Sequence, residues 1–205
     1  MRQPSKPATE TLDALLSEVS KCELCVPTLP LGPRPLLKIS RRVRLLIIGQ
    51  APGRVAHTTG VPWDDKSGER LRTWLDVSPE RFYAAPELGL MPMGFCYPGT
   101  GSGGDLAPRS ECAPAWHERL LAQMPALELT LVIGRYAQVA YLPGGGGASV
   151  TESVKAWRTL FPRWLALPHP SPRNNRWLKS NPWFEEDVVP ALRRETERLV
   201  RPPIR

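Results

Sequence analysis

Three groups of residues have types and spacings that chemistry can use. Cys22 and Cys25 form a C-x2-C pair and, 70 residues further on, Cys96 and Cys112 form a C-x15-C pair. Each lies at the edge of an expected element, and none falls mid-strand in an apolar run. A C-x2-C at a helix end can present two thiolates to one ion, and the other pair could converge on it across the fold. Four thiolates suit either zinc or an iron–sulfur cluster. Two buried thiols beside a chance C-x2-C, or a redox pair, are the alternatives; disulfides are disfavoured in a reducing compartment. The second group is Gly49-Gln50-Ala51-Pro52-Gly53, a forced turn, and the third is His169-Pro170-Ser171, a titratable ring between prolines followed by a hydroxyl. His57 and the aromatic–acidic run Trp63-Asp64-Asp65 lie between them.

The elements that must position these groups are legible from apolar patterning. Leu45-Leu46-Ile47-Ile48 is a continuous apolar run, half of it β-branched, which suits a strand buried on both faces of a parallel sheet. It ends in the Gly49–Gly53 turn, and open α/β sheets bind ligands outside the carboxyl ends of their strands. Further strands are expected at 90–95, 128–134 and 164–167, the last running into His169. Leu12, Leu15, Leu16 and Val19 repeat at helical spacing after Thr9, a candidate cap. Other helices are expected at 67–76 with Ser67 near the cap, from Ser110 through Cys112, Trp116 and Leu120, and from the 128–134 strand to about Leu142. A helix at 150–159 and a helical carboxyl-terminal stretch with a break near Pro190 complete the pattern. Long loops are expected from Gly53 to Trp63 and, rich in glycine, from Tyr97 to Arg109. Strands alternating with helices give a three-layer αβα sandwich around a central, mainly parallel four-stranded sheet.

The 205 residues suit a single domain, with 1–8 and 200–205 read as frayed tails. Twenty-four prolines and 16 glycines imply long shaped loops. The absence of an 18-residue apolar stretch or a signal-peptide pattern points to a soluble cytoplasmic protein with no membrane partner, expected as a monomer. A net charge of +7 and a pI near 9.6 favour a polyanionic partner such as nucleic acid.

Taken together over about residues 12–198, these features resemble the uracil-DNA glycosylase superfamily, most closely its iron–sulfur (family 4 type) branch. That branch's opening motif, G-E-A-P-G followed by an acidic pair, G-x-P-F and S-G, is matched by Gly49–Gly53, Gly60-Val61-Pro62-Trp63 and Ser67-Gly68. Its closing H-P-S is matched by His169-Pro170-Ser171, and its cysteine pairs, including the x15 gap, by the four cysteines. The resemblance implies a DNA glycosylase of base-excision repair, which flips uracil or another deaminated base out of damaged single- or double-stranded DNA and hydrolyses its N-glycosidic bond. It implies a [4Fe–4S] cluster on Cys22, Cys25, Cys96 and Cys112, where the spacing by itself leaves zinc open.

The implied roles follow residue by residue. His169 donates a hydrogen bond to the leaving base, and Trp63 stacks on it, a contact worth ~1–3 kcal/mol. The backbone at Gln50 and Ala51 meets base edges or the attacking water, with Gly49, Pro52 and Gly53 completing the wall. Asp64 and Asp65 are the carboxylates nearest to orient water, or else helix caps. His57 is a candidate acid or base-reader, or a solvated loop residue. Ser171 holds a phosphate, Arg173 enters the gap left by the base, and Arg176, with Arg54 and Lys179, lies on the phosphate side. Arg41, Arg42 and Arg44 precede the first strand and belong at the opposite end of the sheet. The chain departs from the branch at Gln50, in place of Glu; at Ala56 and His57, in place of the acidic pair; and at Pro92, in place of the asparagine that reads uracil. The segment 57–62 is nearer the single-strand-selective and family 5 glycosylases. Two other functions fit the residues: a catalytically silent member that binds DNA or damaged nucleotides, and an α/β hydrolase with a structural zinc.

Overall fold

A computed structural model of the protein describes residues 10–200. Its strands are β1 (Leu45–Ile48), β2 (Leu88–Leu90), the two-residue pair β3 (Thr100–Gly101) and β4 (Gly104–Asp105), β5 (Leu129–Ile133) and β6 (Trp164–Leu167). The helices before β5 are α1 (Leu12–Ser20), α2 (Arg54–Thr59), α3 (Lys66–Leu75), α4 (Pro79–Ala84) and α5 (Cys112–Ala122). After it come α6 (Gly134–Tyr141), α7 (Val150–Lys155), α8 (Trp157–Leu160), α9 (Asn175–Ser180) and α10 (Val189–Leu199).

The expected αβα architecture is present. Strands β2, β1, β5 and β6 form one sheet in that order, every neighbouring pair parallel. All four residues of β1 and all five of β5 are buried, as strands covered on both faces must be. The connection from β1 leads outward to β2, whereas those from β2 to β5 and from β5 to β6 run the other way. With right-handed crossovers, the helices between β1 and β2 cover one face, and those between β2 and β6 cover the other. The packing agrees: α10 lies on α3, where the Trp74 and Phe184 rings meet edge to face at 4.9 Å, and α1 lies on α5. The direction in which the connections cross the sheet reverses between β1 and β5, so their carboxyl ends flank the sheet's switch point, where such sheets bind ligands.

Several boundaries differ from expectation for physical reasons. Strand β2 covers 88–90 rather than 90–95, because Pro92 brings no N–H to a ladder. The chain beyond it still follows β1: the N–H groups of Met91, Met93 and Gly94 donate to the carbonyls of Ile47, Gly49 and Gln50 at 3.0, 2.9 and 3.0 Å. The expected loop after Gly53 holds α2, only six residues long and therefore without a readable period. Helix α3 begins at Lys66, capped by Asp65 rather than Ser67: Asp65 Oδ1 accepts from the Gly68 N–H at 2.8 Å. Helix α5 starts at Cys112, two residues after Ser110, and the helix expected at 150–159 divides at Ala156 into α7 and α8. The break expected near Pro190 is a change of winding: a π-helical turn at Phe184–Val188 gives way to α10, whose first turn holds Pro190, where no N–H is needed.

Thr11 caps α1, its Oγ1 accepting from the Ala14 N–H at 3.3 Å; Thr9 and the two tails, apart from residue 200, lie outside the described residues. Val200 is buried in the core rather than frayed. Arg42 pairs with Glu87 at 2.5 Å, and Arg44 and Arg198 share Glu128, at the end of the sheet away from the β1 turn. Among the described residues no helix is long and apolar enough to cross a membrane.

Candidate active site

A cleft of about 400 Å³ opens over the carboxyl ends of the strands. Gln50, Ala51, Pro52, Gly53 and Ala56 form one wall; Trp63, Asp65 and Ser67 form another; His169, Ser171, Arg173 and Asn174 close it from the β6 side. Pro92, Gly103 and Asp105 line it from the loop between β2 and α5. The strand-end turns thus bring together residues as distant in sequence as Gln50 and Asn174.

Trp63 is held in an unusual conformation. Its φ of +60° lies in the left-handed region, which costs a residue other than glycine ~1–3 kcal/mol and persists only where the surroundings fix it. Here they do. The Trp63 carbonyl accepts from Arg72 Nη1 at 3.1 Å; Arg72 also reaches Tyr83 Oη at 3.2 Å, and the Tyr83 hydroxyl donates to the Pro62 carbonyl at 3.0 Å. Gly68 lets this happen, because a Cβ on it would stand 1.7 Å from the Trp63 oxygen. Gly49 plays the matching part beneath the ring, where a Cβ would stand 2.7 Å from Trp63 Cζ2. The indole therefore rests on the β1 turn, with the His169 ring nearly parallel to it, centroids 5.9 Å apart and planes 30° apart. Gly68→Ala is expected to displace Trp63 and lower unfolding free energy by about 1–3 kcal/mol or more. Urea denaturation checks this, and an unchanged midpoint would contradict the packing.

His169 is fixed as firmly. Its Nδ1 accepts from the Ser171 N–H at 3.2 Å, which leaves Nε2 as the proton-bearing nitrogen. The Asn174 side-chain amide donates to the His169 carbonyl at 2.7 Å. Arg70 ties the following turn, donating to the Ser171 carbonyl at 3.2 Å and to Asn175 Oδ1 at 2.7 Å. Burial pushes the His169 pKa below the ordinary histidine value, while the charges of Asp65 and Asp105 pull the other way. The neutral ring is thus favoured near neutral pH, a donor through Nε2.

Other candidates separate into two sets. Gln50 lines the cleft with its side-chain amide committed, Nε2 donating to the Leu106 carbonyl at 3.1 Å. Ser171 and Arg173 lie in the cleft, the guanidinium bonded to the Gly103 carbonyl. Arg176 is exposed on α9 and outside the cleft lining. Asp64 is also outside it; the carboxylate that faces the cleft from this run is its neighbour Asp65. His57, expected near the chemistry, is not brought there. It is buried on α2 with its ring 6.0 Å from that of Tyr97, and its Nδ1 has no hydrogen-bond partner among the described residues. The helical turn that the sequence pattern lacked rotates Ala56 into the cleft and His57 out of it. Two contributors were missed. Asn174 sat in a stretch read only as helical, and Asp105 in a glycine-rich loop whose β3–β4 hairpin, two residues a side, leaves no periodic signal. Trp177 and Trp183 pack against each other and beside Phe184, which supports a structural role.

The four cysteines form a second centre. Cys22, Cys25, Cys96 and Cys112 line one pocket with Leu24, Leu29, Pro35, Phe95 and Arg109. The Phe95 N–H points at Cys112 Sγ at 3.3 Å. Burial pushes the Cys112 thiol up to about 12 and the Cys96 thiol to about 11, so neither is a ready nucleophile by itself. Among the described residues no three His, Cys, Asp or Glu side chains are placed to hold a single metal ion. Four thiols lining one largely apolar space, with an N–H aimed at sulfur, are a donor set that either an iron–sulfur cluster or a zinc ion takes.

A doubly wound α/β sheet thus carries an indole and a fixed imidazole, ring against ring, in the cleft at its switch point. Residues 38–193 match the model of the Uracil DNA glycosylase superfamily. The chain belongs to that superfamily, and its general role is glycosylase-like.

Proposed function

We propose that the protein is a DNA glycosylase that hydrolyses the N-glycosidic bond of uracil or another deaminated base flipped out of DNA. The observation that carries this reading is the pairing of Trp63 and His169 over the β1 and β6 ends. A base extruded from the stack lays its face on the indole, and its carbonyl edge comes within reach of Nε2–H. As the glycosidic bond breaks, negative charge grows on the base and positive charge on the sugar. A neutral, preoriented Nε2–H donor stabilises the first without needing to reorganise. Ser171 and Arg173 at the cleft edge suit flanking phosphates, and exposed Arg176 extends that basic rim.

The four cysteines are proposed to hold a [4Fe–4S] cluster rather than zinc, on their C-x2-C and C-x15-C spacing and the single pocket that they line. Such a cluster would cross-link the loops that bear its ligands. The activity is tested with oligonucleotides carrying uracil, hypoxanthine or xanthine in single and double strands, scored for abasic product. Abasic product from any of them supports the reading, and binding without product would favour the silent alternative.

A further inference from the structure

We propose that Asp105, carried by the β3–β4 hairpin, orients and deprotonates the water that attacks the sugar. The inference rests on the glycosylase reading above and assigns the role that no acidic residue of the first motif can fill in this chain. Gln50 occupies that motif's second position, and its side-chain amide is held by the Leu106 carbonyl at 3.1 Å. The fold supplies a carboxylate from elsewhere. A Cβ placed on Gly53 would stand 3.3 Å from Asp105 Oδ2 and 3.6 Å from Asp65 Oδ2, so both carboxylates look across the same turn into the cleft.

Their other oxygens set them apart. Asp65 Oδ1 accepts from the Gly68 N–H at the start of α3, so this carboxylate is committed to its helix. Asp105 Oδ1 accepts from the Thr100 hydroxyl at 3.2 Å, and Thr100 is itself 2.5 Å from the Tyr97 hydroxyl. That chain of hydroxyls aims Asp105 through Oδ1, and among the described residues no hydrogen bond engages Oδ2. Asp105 is exposed at the cleft mouth, where a bound strand would cover it. Arg173, which also lines the cleft, bonds the hairpin at the Gly103 carbonyl, so a phosphate-side residue and the hairpin move together.

In the proposed step the water oxygen bonds to C1′ as the bond from C1′ to the base nitrogen breaks. That bond's electron pair leaves with the base, whose anion accepts a hydrogen bond from His169 Nε2–H. The water's proton passes to Asp105 Oδ2 and from there to solvent or to the departing base.

The test compares wild type, Asp105→Asn, Asp105→Glu and Thr100→Val under single-turnover conditions, on whichever oligonucleotide the wild type converts, with binding of that strand measured alongside. Asp105→Asn is expected to bind within a few-fold of wild type and to lose about 100-fold or more in rate, the contribution usual for a positioned base. Asp105→Glu, which restores a carboxylate, should regain part of that rate, as a merely structural loss would not allow. Thr100→Val, which keeps the carboxylate but removes the hydroxyl that aims it, should lose rate more modestly. An Asp105→Asn protein as fast as wild type would overturn this inference and leave the glycosylase reading intact. A wild type that converts no strand would overturn both.

Discussion

Replacing His169 by alanine is expected to slow abasic-site formation by about 100- to 1,000-fold, the loss typical when one preoriented donor to a developing anion is removed. Binding of the same strand should change little, because the platform and the basic rim remain. The effect should fall on the chemical step, seen in single-turnover rates, since the donor matters most when charge is on the base. The wild-type pH profile carries a second signature. Burial depresses the His169 pKa, so the ring keeps its neutral form as the pH falls through the ordinary histidine range near 6.5. Protonation would put a hydrogen on Nδ1, opposite the Ser171 N–H that donates to it. Activity should therefore persist below pH 6.5 and decline only at more acid values. A decline centred at 6.5 or above would mean that His169 titrates as an exposed imidazole and is not held as described.

The second large effect is expected at the cysteine centre. Cys96 and Cys112 bracket 15 residues, and that segment contains the hairpin, Asp105 and the Leu106 carbonyl that holds Gln50. The proposed cluster, bound at both ends, would clamp the loop that completes the cleft. Closing a loop of that length by a covalent cross-link is worth about 3 kcal/mol by chain entropy, and a cluster tied also to Cys22 and Cys25 restrains more of the chain. Cys112→Ala should abolish absorbance near ~400 nm and reduce bound iron. It should also lower the unfolding midpoint and raise amide exchange across residues 97–111 while β1 and β5 stay protected. Iron-free protein with wild-type stability and unchanged exchange in that loop would remove the cluster from the account.

The sheet was the most legible part of the sequence. Leu45–Ile48 is apolar throughout and Leu129–Ile133 is so but for buried Thr130, the near-continuous run expected of a parallel strand covered on both faces. The strand-end turns were legible for the same reason, since Gly49–Gly53 and His169–Ser171 interrupt apolar runs abruptly. What escaped was local geometry set by tertiary contacts. Helix α2 is too short to show a period, yet its single turn decides that Ala56 and not His57 faces the cleft. The left-handed backbone of Trp63 depends on Gly68, Arg72 and Tyr83, and no propensity announces it. Asp105 was hidden in a glycine-rich loop, because its position follows from a hairpin that packs back on Gly53 and Arg173. At α3 the cap is Asp65 rather than Ser67, the capping role that the Asp64–Asp65 pair also suggested, and the same residue faces the site.

The central claim is that Trp63 and His169 hold a flipped base for removal. Its most direct test is single-turnover incubation of the wild type and His169→Ala with the uracil, hypoxanthine and xanthine strands, scored by alkaline cleavage at abasic sites. The account predicts cleavage of at least one strand by the wild type and its loss, by about two orders of magnitude or more, in the variant. Strands that are bound but never converted, in either single- or double-stranded form, would contradict it.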